Sequence, residues 1–191
     1  SEWCLLLMGR RPQRSTEGRS SAASDVYKRQ TLFLEPKALY NATKTATSIP
    51  DDFEVPFGKA RIRRLGTDIS MITYGNTTPM CLEVAERLQT EKGISAEVLD
   101  IRSLIPLDRK AILATVKKTG KALVVHEDKL FAGFGGEIAS IIAEEAFEYL
   151  DGPVKRVGAT FTPVGFNRIL EAAILPNVDK IFAAALELAE Y

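Results

Sequence analysis

From residue 59 onward the chain alternates short apolar runs with stretches of helical period, joined by connections only a few residues long. Residues 59–64 set Ala60 and Ile62 between basic side chains, the pattern of an edge strand whose charges discourage edge-to-edge pairing. Residues 68–74 read as a more continuously apolar strand ending at Gly75. Thr78 and Pro79 then predict an N-cap and a first-turn proline for a helix with Met80, Cys81, Val84, Ala85 and Leu88 on one stripe, stopped by Gly93. Residues 96–101 form the next strand. Asp108 caps a helix that turns Ile112, Leu113 and Val116 inward and places Lys117 and Lys118 near its negative end, closed by Gly120. Residues 122–126 make a buried strand, and residues 135–149 a helix with Ile138, Ile141, Ile142 and Ala146 on one face. A last strand covers 154–158. A short helix follows within 166–175, and Asn177 caps a final one with Val178, Ile181, Phe182, Ala185 and Ala189 inward. Alternation this tight requires right-handed crossovers and a mostly parallel sheet covered on both faces. The expected fold of residues 59–191 is a three-layer α/β/α domain.

The chain before that domain has a different character. After Met8, residues 1–30 show no apolar periodicity and are dominated by Arg, Ser, Gly and Gln, a composition that favours disorder. The run Asp25-Val26-Tyr27-Lys28-Arg29-Gln30 resembles the translation of a transposon end used in preparing DNA libraries. Residues 1–30 are therefore expected to be a non-native, disordered leader fused to a truncated gene. Residues 31–40 begin as a strand-like run and break at Pro36; residues 41–58 are polar with two prolines and read as an extended linker.

Charge and cysteine usage exclude several functions. Basic and acidic residues number 25 each, and the leader's net +3 leaves −3 on everything after it. That gives no electrostatic case for nucleic acid or an anionic membrane. The two cysteines are Cys4, in the leader, and Cys81; one cysteine in the body cannot staple it, which suits a reducing cytosol. No apolar run reaches the ~18 residues of a spanning helix, and no targeting signal is visible. A cytoplasmic protein is expected.

In such a sheet, ligands sit beyond the carboxyl ends of the strands. The most suggestive loop there is Gly133-Phe134-Gly135-Gly136, which runs into a helix N-terminus where amides can hold an anion. The dinucleotide fingerprint would need a third glycine where Ile138 stands, so a tight turn bringing backbone close to a neighbour is the stronger reading. A free-standing nucleotide- or flavin-binding module using this turn remains the alternative. His126, the only histidine, precedes Glu127 and Asp128. A general base or proton shuttle is conceivable there; a histidine satisfied at a strand end or a subunit contact is the stronger reading. One histidine and one body cysteine offer no zinc spacing. Glu144, Glu145 and Glu148 lie on the outward side of a helix and read as a solvated face.

Several stretches resemble the beta subunit of thiamine-diphosphate-dependent 2-oxoacid dehydrogenases, the group of pyruvate, branched-chain 2-oxoacid and acetoin enzymes. They are residues 33–40 (FLEPKALY), residues 93–102 (GISAEVLDIR), His126-Glu127 followed by Gly133-Phe134-Gly135-Gly136-Glu137-Ile138, residues 144–147 (EEAF), residues 153–157 (PVKRV) and Thr162-Pro163. The resemblance spans residues 31–191. It implies a transketolase-like carboxy-terminal domain, with a five-stranded mixed sheet that is mostly parallel and has one antiparallel edge strand. It also implies that residues 31–58 are the last strand of an absent pyrimidine-binding domain plus a linker.

The family's activating glutamate and catalytic histidine lie on that absent domain, and its diphosphate and magnesium on the alpha subunit. His126 inherits no catalytic role, and no catalytic, cofactor or metal residue is carried over. The expected activity of the complete enzyme is decarboxylation of a 2-oxoacid, branched-chain by general similarity, with acyl transfer to a lipoyl group; this chain alone should be inactive. Its role would be assembly with a second beta subunit across a two-fold, with an alpha subunit, and with the dihydrolipoyl acyltransferase core. His126, Glu127, Phe131, Gly133, Phe134, Gly135 and Gly136 are the expected subunit interface; Glu148, Asp151 and Tyr191 the expected docking elements.

Overall fold

A computed structural model describes residues 5–8, 31–34, 36, 39 and 55–191. The main sheet has five strands: β3 (Arg61–Arg64), β4 (Ile69–Thr73), β5 (Ala96–Asp100), β7 (Ala122–Lys129) and β8 (Lys155–Ala159), in the order β3-β5-β4-β7-β8. β4 runs parallel to both β5 and β7, and β7 parallel to β8; only β3, at one edge, is antiparallel. This is the mixed sheet anticipated above.

Residue alternation along the strands divides the core in two. Ile69, Met71, Ala96, Val98, Leu123 and Val125 face α1 (Thr77–Lys92) and α5 (Val178–Ala189), meeting Cys81, Val84, Ala85, Leu88, Ile181, Ala185 and Leu188. Ile72, Leu99, Ile101 and Val124 point the other way, against Ile112 and Val116 of α2 (Arg109–Thr119) and Ile138 and Ile142 of α3 (Phe134–Glu145). Each of these side chains is removed from water, a gain of roughly 1.5–3 kcal/mol for a large aliphatic one. A 3-10 turn, Phe147–Tyr149, follows α3, and a short helix, α4 (Arg168–Ile174), precedes α5 without burying any residue.

The cap of α1 differs from expectation. Asn76 holds the N-cap position, Thr77 and Thr78 lie inside the first turn, and Pro79 follows where a missing N–H loses no helical bond. Thr77 takes this place because its hydroxyl is engaged with the Thr73 hydroxyl and the Tyr74 carbonyl at the end of β4. The cap of α2 is as expected: Asp108 accepts from the Ala111 amide, and Gly120 ends the helix in the left-handed region.

The loop after β5 grips the chain entering β3. The Gly58 amide donates to the Ser103 hydroxyl at 3.0 Å, and the Ala60 amide donates to the second oxygen of Asp108 at 3.0 Å. Between them, the Arg102 guanidinium donates twice to the Lys59 carbonyl, at 3.0 and 2.7 Å.

The strand-like run at 31–34 joins a small second sheet through a partner in the leader. β1 (Leu5–Met8) pairs antiparallel with β2 (Thr31–Leu34) and parallel with β6 (Ser103–Ile105). Four residues of the leader expected to be disordered therefore form a strand, because the open edge of β6 and the apolar run at 31–34 give them partners. Residues 1–4 and 9–30 of that leader and most of the expected linker lie outside the described residues. No helix among the described residues is long and apolar enough to cross a membrane.

Candidate functional site: two poles of the sheet

The crossovers leave β4 and β7 in opposite directions, so the crevice of this fold lies at their carboxyl ends. Asn76 and Glu127 close it, the Asn76 amide group donating to Glu127 Oε2 at 2.8 Å. Beside them, on the α3 face, the His126 side chain is fully buried.

His126 sits in a cage of glycines. A methyl group at Gly135 would run into its Cδ2 and Nε2. One at Gly133 would lie 2.9 Å from its Cε1 and collide with the Lys129 carbonyl, and one at Gly158, in β8, would lie 3.0 Å from Cε1. The Tyr74 ring lies parallel to the imidazole, displaced, with centroids 6.3 Å apart. Gly133 and Gly135 therefore bring backbone onto an imidazole, while Gly136 faces the Arg156 guanidinium. A nucleotide- or flavin-binding loop is not favoured, because the surface that would meet a phosphate meets His126.

Of the two settings expected for His126, a satisfied strand end and a subunit contact, the strand end does not satisfy it. Neither ring nitrogen has a hydrogen-bond partner among the described residues. Burial lowers its pKa; Asp128 opposes that and Arg156 adds to it. The Asp128 backbone is near enough to favour the protonated ring, yet no contact of hydrogen-bonding geometry reaches either nitrogen. A buried imidazole without partners is held neutral, since the uncharged form is the cheaper one to desolvate.

The two phenylalanines of the turn part company. Phe134 is half-buried, packs edge-on against Tyr74 at 6.3 Å and belongs to the core. Phe131 is 67% exposed, and its ring meets that of Phe161, 68% exposed, with centroids 4.7 Å apart. Val164, Phe166, Ile169 and Leu170 extend the exposed apolar surface along the β8–α4 loop and α4. Sequence reasoning missed this extension; its only signal was a short helix too apolar for one that covers nothing. Of the seven expected interface residues, Glu127 and Phe131 are exposed, Phe134 and Gly136 half-buried, and His126, Gly133 and Gly135 buried beneath them.

Asp151 and Tyr191 lie at the opposite pole. The Asp151 amide donates to the Gly120 carbonyl at 2.8 Å, and the ring of Tyr191 covers Gly152 so closely that a methyl group there would lie 3.1 Å from Cδ1. Glu148, in the 3-10 turn, is exposed near the adjoining Tyr149, whose ring carries the Lys117 ammonium at 4.3 Å. The structure thus joins Asp151 and Tyr191 and separates both from the His126 pole.

Other buried ionisable groups are structural. Glu97 accepts from the Thr115 hydroxyl and pairs with Lys118, and Ser70 bonds Thr115 and Thr119 beside it. Asp100 accepts from the Arg102 amide at 3.1 Å; burial pushes its carboxyl up to about 6, against the pull of Arg63, Arg102 and Arg61. Burial pushes the Cys81 thiol up to about 12, which leaves it unreactive. Among the described residues no three His, Cys, Asp or Glu side chains converge as a metal would require.

Residues 58–181 match the family model described as the transketolase C-terminal domain. The chain is 40% identical over 158 residues to the beta subunit of acetoin:2,6-dichlorophenolindophenol oxidoreductase of Bacillus subtilis, covering 82% of this chain and 45% of that protein. It is 41% identical over 161 residues to the beta subunit of 2-oxoisovalerate dehydrogenase of the same organism, covering 84% and 49%. Against the mitochondrial pyruvate dehydrogenase E1 component subunit beta of Saccharomyces cerevisiae the identity is 39% over 160 residues, covering 82% and 43%. The chain thus spans about half the length of the curated relatives it matches. Among solved structures it resembles a split-gene transketolase, an inactive beta4 tetramer, with a TM-score of 0.63 and 26% identity over 74% of this chain and 45% of that one. With a five-stranded mixed sheet, two helical layers and this match over more than half its length, the chain belongs to the transketolase C-terminal domain family.

Proposed function

We propose that this chain is the assembly half of the beta subunit of a 2-oxoacid dehydrogenase. The complete enzyme decarboxylates a 2-oxoacid, a branched-chain one in this reading, and passes the acyl group to a lipoyl carrier. The observation that carries the proposal is identity near 40% to beta subunits of acetoin, 2-oxoisovalerate and pyruvate enzymes across more than four-fifths of the chain. The geometry agrees in kind. At the carboxyl pole the chain's own glycines and His126 fill the crevice, and an exposed apolar surface begins directly outside it.

Thiamine diphosphate and magnesium serve the complete enzyme and supply its carbanion chemistry. The described residues bring together no group of three ligands for the metal, and Gly133 and Gly135 face His126. The group does not fit this half, and we place it on the absent pyrimidine-binding domain and the alpha subunit. Residues 31–58 are then the last strand of that domain and a linker, and residues 1–30 a non-native leader.

What this half contributes is surface. The Phe131–Phe161 pair, with Glu127, Phe134 and Gly136, is the contact to a second beta subunit, and the tetrameric state of the split-gene transketolase relative is consistent with such pairing. Glu148, Asp151 and Tyr191 face the acyltransferase core from the other pole, and an alpha subunit completes the cytoplasmic assembly.

The test restores the missing half. The chain is joined to the amino-terminal domain of a related beta subunit and co-purified with the alpha subunit, and 2-oxoacid-dependent reduction of 2,6-dichlorophenolindophenol is followed. The expected result is turnover only when all parts and thiamine diphosphate are present. Turnover by this chain alone, or a restored beta subunit that ignores the alpha subunit, would overturn the proposal.

A further inference from the structure

We propose that His126 is a protonation switch that holds the 130–136 turn closed while its imidazole is neutral and opens it on acidification. What the turn is for rests on the assembly reading above; the switch itself does not. Three observations carry it. The imidazole is fully buried, it fills a cage formed by Gly133, Gly135 and Gly158, and neither nitrogen meets a partner in hydrogen-bonding geometry among the described residues.

A neutral ring can occupy this cage because it is mostly van der Waals filler between Tyr74 and the glycine backbone. An imidazolium cannot do so cheaply. It would be a buried charge with two donors and, among the described residues, no acceptor in hydrogen-bonding geometry. The groups packed around it do not rescue it. From β4 comes Tyr74, whose phenol burial keeps neutral. From β8 comes Arg156, a like charge, whose guanidinium donates to the Leu130 carbonyl in the same turn. From α3 comes the positive end of a helix dipole, whose one first-turn carboxylate, Glu137, is exposed. Asp128, on its own strand, favours the charged form through both its carboxylate and its backbone, but the carboxylate is exposed and screened by water and the backbone lies outside hydrogen-bonding geometry. The protonated ring therefore gains most by leaving for solvent.

Its exit removes the filler on which Gly133 and Gly135 rest. The residues between them and β7 are Leu130, Phe131 and Ala132, and Ala132 already sits at a φ of 57°, in the left-handed region that non-glycine residues seldom adopt. The turn is thus the compliant part, and Phe131 moves with it. The direction follows from linkage. An unfolded or open chain takes up the proton at the ordinary histidine value and the closed turn only at a lower one. Closure is therefore fully supported above the ordinary value and weakens as pH falls through the lowered one.

The whole chain tests this without a partner. His126 is the only histidine, so its Cε1–H resonance reports the ring directly. The expected titration midpoint lies below the ordinary histidine value. Amide resonances of Phe131, Gly133 and Gly135 should shift with the same midpoint while those of Cys81, Val84 and Leu88 stay. Hydrogen exchange in the turn, corrected for its intrinsic pH dependence, should rise about tenfold across that midpoint. In His126→Gln the acid response of the turn should vanish. A ring titrating at the ordinary value, turn amides unmoved through the titration, α1 resonances moving in step, or a His126→Gln turn that still opens in acid would each overturn the switch. Should that variant fail to fold, the wild-type midpoint and amide shifts decide alone. Failure to recover 2-oxoacid turnover would bear on the assembly reading and leave these outcomes untouched.

Discussion

Gly135 and His126 are packed so that a single methyl group on the glycine would occupy the space of the imidazole edge. Gly135 lies in the first turn of α3, where alanine would otherwise be preferred by roughly 0.5–1 kcal/mol. The contact decides the sign. Gly135→Ala should lower the stability of the fold by about 2 kcal/mol, the usual magnitude for overpacking. Combined with His126→Ala, which vacates the site, it should be markedly less damaging than the sum of the two single changes. Urea unfolding followed by circular dichroism measures all three variants.

Glu97 offers a second test, at the opposite end of the α2 face. It is buried, and its carboxylate serves Thr115 and Lys118 together. Glu97→Ala removes the Thr115 hydroxyl's acceptor, leaving it only Ser70, and unpairs a half-exposed ammonium, and should cost about 3 kcal/mol. Glu97→Gln keeps an acceptor for Thr115 and should cost clearly less. Equal losses in the two variants would show that packing volume, and not hydrogen bonding, explains this residue.

Asp100 predicts a dependence on pH. Its carboxyl is raised from the ordinary 3.8 to about 6 by burial. A raised folded value means that its stabilising contribution is complete below the unfolded pKa and is lost as pH rises through about 6. Asp100→Asn removes this term while leaving an oxygen for the Arg102 amide. The effect of the substitution should therefore be more favourable at about pH 7 than at about pH 5, by about 1 kcal/mol. Denaturation midpoints of both proteins at the two pH values read this directly, and the His126 contribution, common to both, cancels.

Phe131 separates folding from association. Its ring is largely exposed and leans on Phe161, which is exposed too. Phe131→Ala should leave stability within about 0.5 kcal/mol, as surface changes usually do, while weakening self-association at least tenfold in sedimentation experiments, the loss expected of a central aromatic anchor. A change in unfolding midpoint with no change in sedimentation would assign the residue to the core instead.

Most of the architecture was legible because it is written locally. Asp108, Gly93, Gly120 and Asn177 mark helix ends through their own side chains or φ angles, and the stripes Ile112/Val116 and Ile138/Ile142 are buried as their spacing requires. The cap of α1 was read two residues late because Thr77 is recruited by β4, a tertiary partner that no local pattern reveals. The candidate site was legible only in outline. Glycines at 133 and 135 signalled a close approach, but that His126 was the object approached depends on strands and a helix meeting in space. Phe131 and Phe134 stand three residues apart with similar neighbours; which one enters the core is settled by Tyr74, far away in the chain. The strand at Leu5–Met8 was hidden for the same reason, since its partners lie at residues 31–34 and 103–105.

The grip of Ser103, Arg102 and Asp108 on residues 58–60 has a mechanical consequence. Four hydrogen bonds seize the backbone at the threshold of the domain, before its first strand begins. The backbone is therefore clamped at residues 58–60, like a rod set in a socket. A pull on the chain ahead of Gly58 would pass into the loop that also starts α2, and from there into the packed interior, before it reached β3.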